Sequence, residues 1–179
     1  MPRLIHLNGP SRVGKSTLAR RYVDENPGTL ALDLDVLAGL IGGWHDDFLG
    51  ALGKARQHGW AMAQRHLSDG YDVVVPQLVT SFDRAPGPEA IADAAGVSYV
   101  EVALLVDDEE HRHRLRNKQP ANEVEGLIQS FLDDGDLVGR IREHLAEYLA
   151  GRPETIRIET TGLDEDATYA RLLDVLAAA

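Results

Sequence analysis

Residues 9–17 read Gly-Pro-Ser-Arg-Val-Gly-Lys-Ser-Thr, a fit to GxxxxGK[ST]. A short apolar run, Leu4 to Asn8, precedes it and a helix-forming stretch begins at Lys15. Such a run is built to hold phosphate. Gly9 and Gly14 let the backbone curl so that the amides of Ser11, Arg12 and Val13 turn inward on an anion, and the helix adds the positive end of its dipole. Lys15 would reach the terminal phosphates as a mobile point charge. Ser16 would offer its hydroxyl to a Mg²⁺ ion bridging the same oxygens, and Thr17 completes the set at the helix start. An ordinary glycine turn with a surface lysine is the competing reading, yet the chain has only three lysines, Lys15, Lys54 and Lys118, and one stands at the motif's position.

A second constellation lies at the end of the next strand-like segment, Leu32-Asp33-Leu34-Asp35. Two carboxylates two positions apart project to the same side of an extended chain. Close like charges raise one another's pKa unless a cation lies between them, so the pair fits a place beside a magnesium nucleotide. Asp33 would then hold the metal or its water, and Asp35 would accept the proton of an attacking hydroxyl or orient it. Asp35 could instead be only the N-cap of a following helix, and Asp33 only a solvated strand end.

The elements that must position these groups alternate. After the first strand comes a helix, Lys15 to Glu25, stopped by Asn26-Pro27-Gly28. The second strand runs Thr29 to Asp33 and a short helix Val36 to Ile41. Asp46 is expected to cap a long helix from Asp47 to about Asp69. A third strand spans Asp72 to Thr80, apolar at its start, with Pro76 ending its ladder. A helix from Pro88 to Ala95, a strand from Val97 to Val106 and a charged helical block from Asp108 to Gly151, interrupted at Pro120 and Gly135, come next. A fifth strand, Thr155 to Glu159, leads to a last helix capped by Asp164, with Tyr169, Leu172, Leu173 and Leu176 on its apolar side. Strands alternating with helices give an α/β fold: one three-layer domain over residues 1–179 with a mostly parallel sheet, whose ligands gather at the carboxyl ends of the strands. Gln77 lies at such an end, where its amide suits a hydroxyl, or merely caps a loop.

Composition narrows the partners. The chain has 179 residues, 44% hydrophobic and 26% charged, with a net charge of −11. An acidic surface repels a nucleic-acid backbone, and no segment reads as a targeting peptide or a membrane span, so a cytoplasmic protein with a small-molecule partner is expected. The absence of cysteine excludes thiol nucleophiles, thiolate zinc sites and disulfides. A homodimer is compatible with the sequence.

A strand, GxxxxGK[ST], a helix and a DxD at the end of the second strand resemble the small-molecule kinases of the P-loop superfamily, such as shikimate and gluconate kinase. The segment Leu34-Asp35-Val36-Leu37 resembles the chloramphenicol phosphotransferases. Residues 73–80, VVVPQLVT, resemble the tunicamycin-resistance ATP-binding proteins. The resemblance implies sheet order 2-3-1-4-5, a helical lid over about 116–142, ATP as donor and Mg²⁺. It assigns Asp33 to the metal and Asp35 to the substrate hydroxyl, and makes Arg116, with Arg112 on the same face, the lid group that clamps phosphates. Arg140 and Arg142 are further clamp candidates. Thr161 and Gly162 would pack on adenine, and Trp44 falls where related kinases bind their acceptor. The implied activity is γ-phosphoryl transfer to a hydroxyl of an antibiotic, sugar or similar metabolite. A nucleoside or nucleotide kinase, a GTP-using enzyme and an ATP-binding resistance protein that only sequesters a ligand stay open.

Overall fold

A computed structural model describes residues 1–80, 87–117, 119–132 and 135–179. Lys118 and residues 133 and 134, within the expected lid, lie outside the described residues. Five strands, β1 (Arg3–Asn8), β2 (Leu30–Ala31), β3 (Val73–Val75), β4 (Ser98–Leu105) and β5 (Ile156–Glu159), form one parallel sheet in the order β2-β3-β1-β4-β5. The helices are α1 (Lys15–Glu25), α2 (Leu34–Ala38), α3 (Phe48–Ser68), α4 (Pro88–Ala95), α5 (Asp108–Asn117), α6 (Glu123–Leu132), α7 (Gly135–Ala150) and α8 (Glu165–Ala178). This is the three-layer P-loop fold with the expected strand order. No helix among the described residues is long and apolar enough to cross a membrane.

Alternation along the central strand divides the core. Ile5 and Leu7 of β1 pack with Leu18 and Tyr22 of α1 and Tyr169 and Leu172 of α8. Leu4, Val73 and Val75 pack on the other face with Leu34, Trp60, Ala63, Leu67 and Ile91 from α2, α3 and α4. Each fully buried leucine removed from water contributes about 2 kcal/mol, so both helical layers are held by apolar area. Leu173, expected on the apolar side of α8, is 38% exposed, and Val175 packs against the core instead.

The second face is not uniformly apolar. His6, Asn8 and Glu101 are buried on neighbouring strands, with Asn8 Nδ2 donating to Glu101 Oε1 at 2.8 Å and Arg152 Nε to Glu101 Oε2 at 3.0 Å. Burial pushes the Glu101 carboxyl up, but its hydrogen bonds with His6, Asn8 and Thr155 bring it down to about 2. The group is a permanent anion that organises its neighbours.

That network finishes what β3 cannot. The third strand, expected to reach Thr80, pairs only through Val75, because Pro76 has no N–H to give. Beyond it the Asn8 side chain replaces the ladder, donating to the Val79 carbonyl at 3.0 Å and accepting the Val79 N–H at 3.0 Å. His6 Nε2 bonds the Gln77 carbonyl at 2.7 Å. Polar side chains of β1 therefore hold residues 77–79 at the carboxyl edge of the sheet.

Two caps differ from expectation by a residue or two. Asp47, not Asp46, caps α3 by accepting the Gly50 N–H at 2.9 Å. The helix after β2 begins at Leu34, and Asp33 caps it by accepting the N–H groups of Asp35 and Val36 at 3.1 and 3.4 Å. Asp35 therefore falls inside the first turn and is not the cap.

Candidate functional site

The phosphate loop leaves β1 through Gly9, where φ is 138°, and a side-chain carbon there would sit 2.5 Å from the Leu104 carbonyl oxygen. Only glycine allows the loop to cross the end of β4 this closely. Gly14, at φ 112°, turns the chain into α1, and Arg12 adopts a left-handed φ of 67° between them. Helix α1 starts on that glycine with no side-chain cap and no acidic residue in its first turn. Its leading amides are left for an anion.

Around this loop the sequence-selected groups converge. Lys15 Nζ donates to the Gly9 and Pro10 carbonyls at 2.8 Å each, folded over the loop it belongs to. Ser16 Oγ donates to Asp33 Oδ2 at 2.9 Å, so two hard oxygens stand side by side. Among the described residues no group of three or more acidic or histidine side chains could hold a metal. A hydroxyl and one carboxylate fit Mg²⁺, which keeps most of its shell as water and substrate phosphate.

Asp35, Gln77, Lys15 and Ser16 line one cavity of about 110 Å³ with Arg12 and Ile128. Burial and the charge of Asp33 push the Asp35 carboxyl up to about 6, against the downward pull of Lys15, a hydrogen bond from the Gln77 side chain and Arg56. Gln77 is 8% exposed, and its amide faces the carboxyl while its backbone is pinned by His6. Arg12, 7% exposed at its side chain, ties the loop to α6, donating to Gln129 Oε1 at 2.9 Å and pairing with Glu125 at 3.5 Å. Helix α6 thus covers the cavity.

On the α5 side of the loop, the arginines selected from the sequence lie away from the phosphate-loop cavity. Arg112 and Arg116 line a cavity of about 580 Å³ between α5, α6 and α7, and neither lines the phosphate-loop cavity. Arg114 is the arginine at the loop: it donates to the Val13 carbonyl at 3.4 Å, the Thr160 carbonyl at 2.9 Å and Thr160 Oγ1 at 3.2 Å. It borders a cavity of about 470 Å³ with Val13, Gly14, Thr17, Leu163 and Thr168. Buried His111 fixes which face of α5 turns inward, and Arg114, three residues on, shares it. The sequence HRHRLR offers both registers, and a buried histidine is the one signal that separates them.

Thr161 and Gly162 are committed to the start of α5. Thr161 Oγ1 donates to Glu159 Oε1 at 2.6 Å and accepts the Asp107 N–H at 2.9 Å, while the Gly162 N–H donates to Glu110 at 2.7 Å. Leu163 and Thr168 face the cavity in their place. Trp44 is 8% exposed inside the apolar cluster with Phe48, Ala51 and Leu52, stacks on His45 and does not line the phosphate-loop cavity. Of the further arginines, Arg142 reaches the Val106 carbonyl at 3.1 Å and Asp108 at 2.5 Å, whereas Arg140, two residues along α7, does not line these cavities.

A family model described as AAA domain matches residues 4–134, most of the chain and all of the loop, acids and Arg114. The chain belongs to the AAA domain family. No curated protein sequence matches it. Among solved structures, the tunicamycin resistance protein of Deinococcus radiodurans is similar over 98% of this chain and 96% of its own, with a TM-score of 0.65 and 18% identity. Shikimate kinase from Bacteroides thetaiotaomicron is similar over 97% and 98%, with a TM-score of 0.57 and 14% identity. The APS kinase of Mycobacterium tuberculosis, solved with AMPPNP and APS, is similar over 98% of each chain, with a TM-score of 0.56 and 18% identity. At such identities the likeness is one of fold, and the fold this family member shares is that of P-loop kinases.

Proposed function

We propose that the chain is a magnesium-dependent phosphotransferase that moves the γ-phosphoryl group of ATP to a hydroxyl of a small molecule. The observation that carries this reading is one cavity holding Lys15, Ser16 and a carboxyl, Asp35, pushed up to about 6. A carboxylate near that value is a base of useful strength at neutral pH.

The loop amides and the start of α1 receive the phosphates, and Lys15 turns from the Gly9 and Pro10 carbonyls onto them. Ser16 and, directly or through water, Asp33 would hold Mg²⁺, which when bound would supply positive charge to the phosphate oxygens. Asp35 accepts the hydroxyl proton as the acceptor oxygen bonds to the γ-phosphorus. The bond from that phosphorus to the bridging oxygen breaks, and its electron pair leaves with ADP. Arg12, held by Gln129 and Glu125, keeps α6 over the reacting atoms, which excludes water as a competing acceptor.

The test is transfer from labelled ATP to a panel of antibiotics, sugars and nucleosides by the wild-type chain and by Asp35→Asn. Transfer to at least one acceptor, lost in Asp35→Asn with nucleotide binding kept, supports the reading. Nucleotide binding without transfer to any acceptor makes the chain a binding protein. Transfer to nucleosides alone makes it a nucleoside kinase.

A further inference from the structure

We propose that His111 is a positioning residue for the phosphate loop, held as the Nε2–H tautomer between the Ser11 carbonyl and Arg142, and that its bond to Ser11 sets the nucleotide-binding form of the loop. The inference rests on the loop being the nucleotide site, as proposed above.

His111 is 2% exposed at the first turn of α5. Its Nε2 lies 2.9 Å from the Ser11 carbonyl oxygen and its Nδ1 3.3 Å from Arg142 Nη1. Each partner can play only one part. A carbonyl accepts and a guanidinium donates, so Nε2 must carry the proton and Nδ1 must receive. A second proton on Nδ1 would face the Arg142 cation. Burial, together with the charges of Arg142 on α7, Lys15 on α1 and Arg114 on α5, holds the imidazole below its usual range, against the upward pull of the Ser11 bond. Arg142 is itself fixed by the Val106 carbonyl at the end of β4 and by Asp108.

The consequence for the loop is geometric. In a trans peptide the C=O and the following N–H point in opposite directions. Holding the Ser11 oxygen toward α5 therefore turns the Arg12 N–H away from α5. It does so at the residue whose left-handed φ of 67° gives the loop its concave, anion-binding curl. Without a partner the Ser11 carbonyl is free to rotate, and the curl loses one of its two ends.

Three substitutions separate positioning from bulk. Gln carries its terminal nitrogen as many bonds from Cβ as imidazole Nε2, so His111→Gln can still donate to Ser11. His111→Asn reaches only the Arg142 side, and His111→Leu reaches neither. Calorimetric titration of the full chain with magnesium AMPPNP is expected to leave His111→Gln within about threefold of wild type and to weaken His111→Asn and His111→Leu by about tenfold or more. Asn or Leu variants that bind as wild type overturn the proposal, as does a Gln variant that falls with them. If a variant fails to fold, the ¹⁵N shifts of wild-type His111 decide: an Nε2–H tautomer is expected, and an Nδ1–H tautomer or an imidazolium at neutral pH overturns it. A wild-type chain that ignores magnesium AMPPNP at millimolar concentration removes the nucleotide reading itself, whereas the Asn and Leu outcomes bear only on His111.

Discussion

Helices α1 and α2 begin at one end of the sheet, linked by the bond from Ser16 to Asp33, and they treat their first amides in opposite ways. Helix α2 fills its own: Asp33 Oδ1 takes the N–H groups of Asp35 and Val36. Helix α1 begins on Gly14 with no side chain to offer and no acid in its first turn. A helix start that caps itself is finished as structure, whereas one that leaves its donors open is waiting for an anion. The same contrast divides the two acids. Asp33 is engaged by the α2 amides and the Ser16 hydroxyl, while Asp35, with the Gln77 side chain as its donor, is pushed up into the range where it can gain and lose a proton.

The largest break in this comparison comes from the open helix. Lys15→Ala removes the cation that folds over the loop, and transfer is expected to fall by about a thousandfold or more, measured as kcat/KM with labelled ATP. Asp35→Asn comes next. It keeps shape and removes the base, so kcat is expected to fall by about 10²- to 10⁴-fold while nucleotide affinity holds within about threefold. The same variant should be more stable than wild type. The folded carboxyl titrates near 6 and an unfolded one near 4, so the native state binds more protons between those values and wild-type stability falls as pH rises through that window. The rise in Tm of Asp35→Asn is expected to be fullest above about pH 6 and to vanish toward pH 4. A variant with lower Tm at pH 8 would show that the carboxylate is a structural anion.

What the sequence made legible follows the same division. The loop is encoded by nine consecutive residues, and the alternation of strand and helix dictated the sheet, because both depend on neighbours in the chain. Arg114 was hidden because the facing of α5 depends on His111 contacting Ser11, a hundred residues away. The engagement of Arg12 with Gln129 was hidden for the same reason. The start of α2, expected at Val36, lies two residues earlier at Leu34, because Asp33 and Asp35 are equally good caps in sequence and only the folded chain shows Asp33 taking the amides. The roles of His6, Asn8 and Glu101, polar residues in buried strands, were not legible because they depend on Pro76 leaving residues 77–79 in need of partners.

Asp33 is the sharper instrument for separating its two duties, with an effect below that of Asp35→Asn on turnover. Asparagine caps a helix about as well as aspartate and relieves the repulsion on Asp35, so Asp33→Asn should not lower Tm. It removes the charge beside Ser16, and the affinity gained by adding Mg²⁺ to the nucleotide is expected to fall by about tenfold. Asp33→Ala loses both duties and should cost about 1 kcal/mol of stability in denaturant titration besides. If Asp33→Asn keeps the full magnesium effect, Asp33 is only a cap and the contrast with α1 loses its metal half.

The smallest expected effect tests whether Gln77 tunes the base. Rates of transfer should fall below about pH 6, where Asp35 holds its own proton and cannot take one from the acceptor. The Gln77 side chain donates to that carboxyl and draws its pKa down. Gln77→Leu withdraws the donor, so the acid limb of kcat/KM for the acceptor should move to higher pH, the reverse of what a merely loosened pocket would do. Well above the limb both proteins have an ionised Asp35, and the ratio of their rates should be nearest to one there. The ratio should grow as pH falls toward 6. A ratio that stays constant across pH would mean that Gln77 holds the acceptor and leaves the acid untouched. The imbalance between the two carboxylates would then come from burial and Asp33 alone.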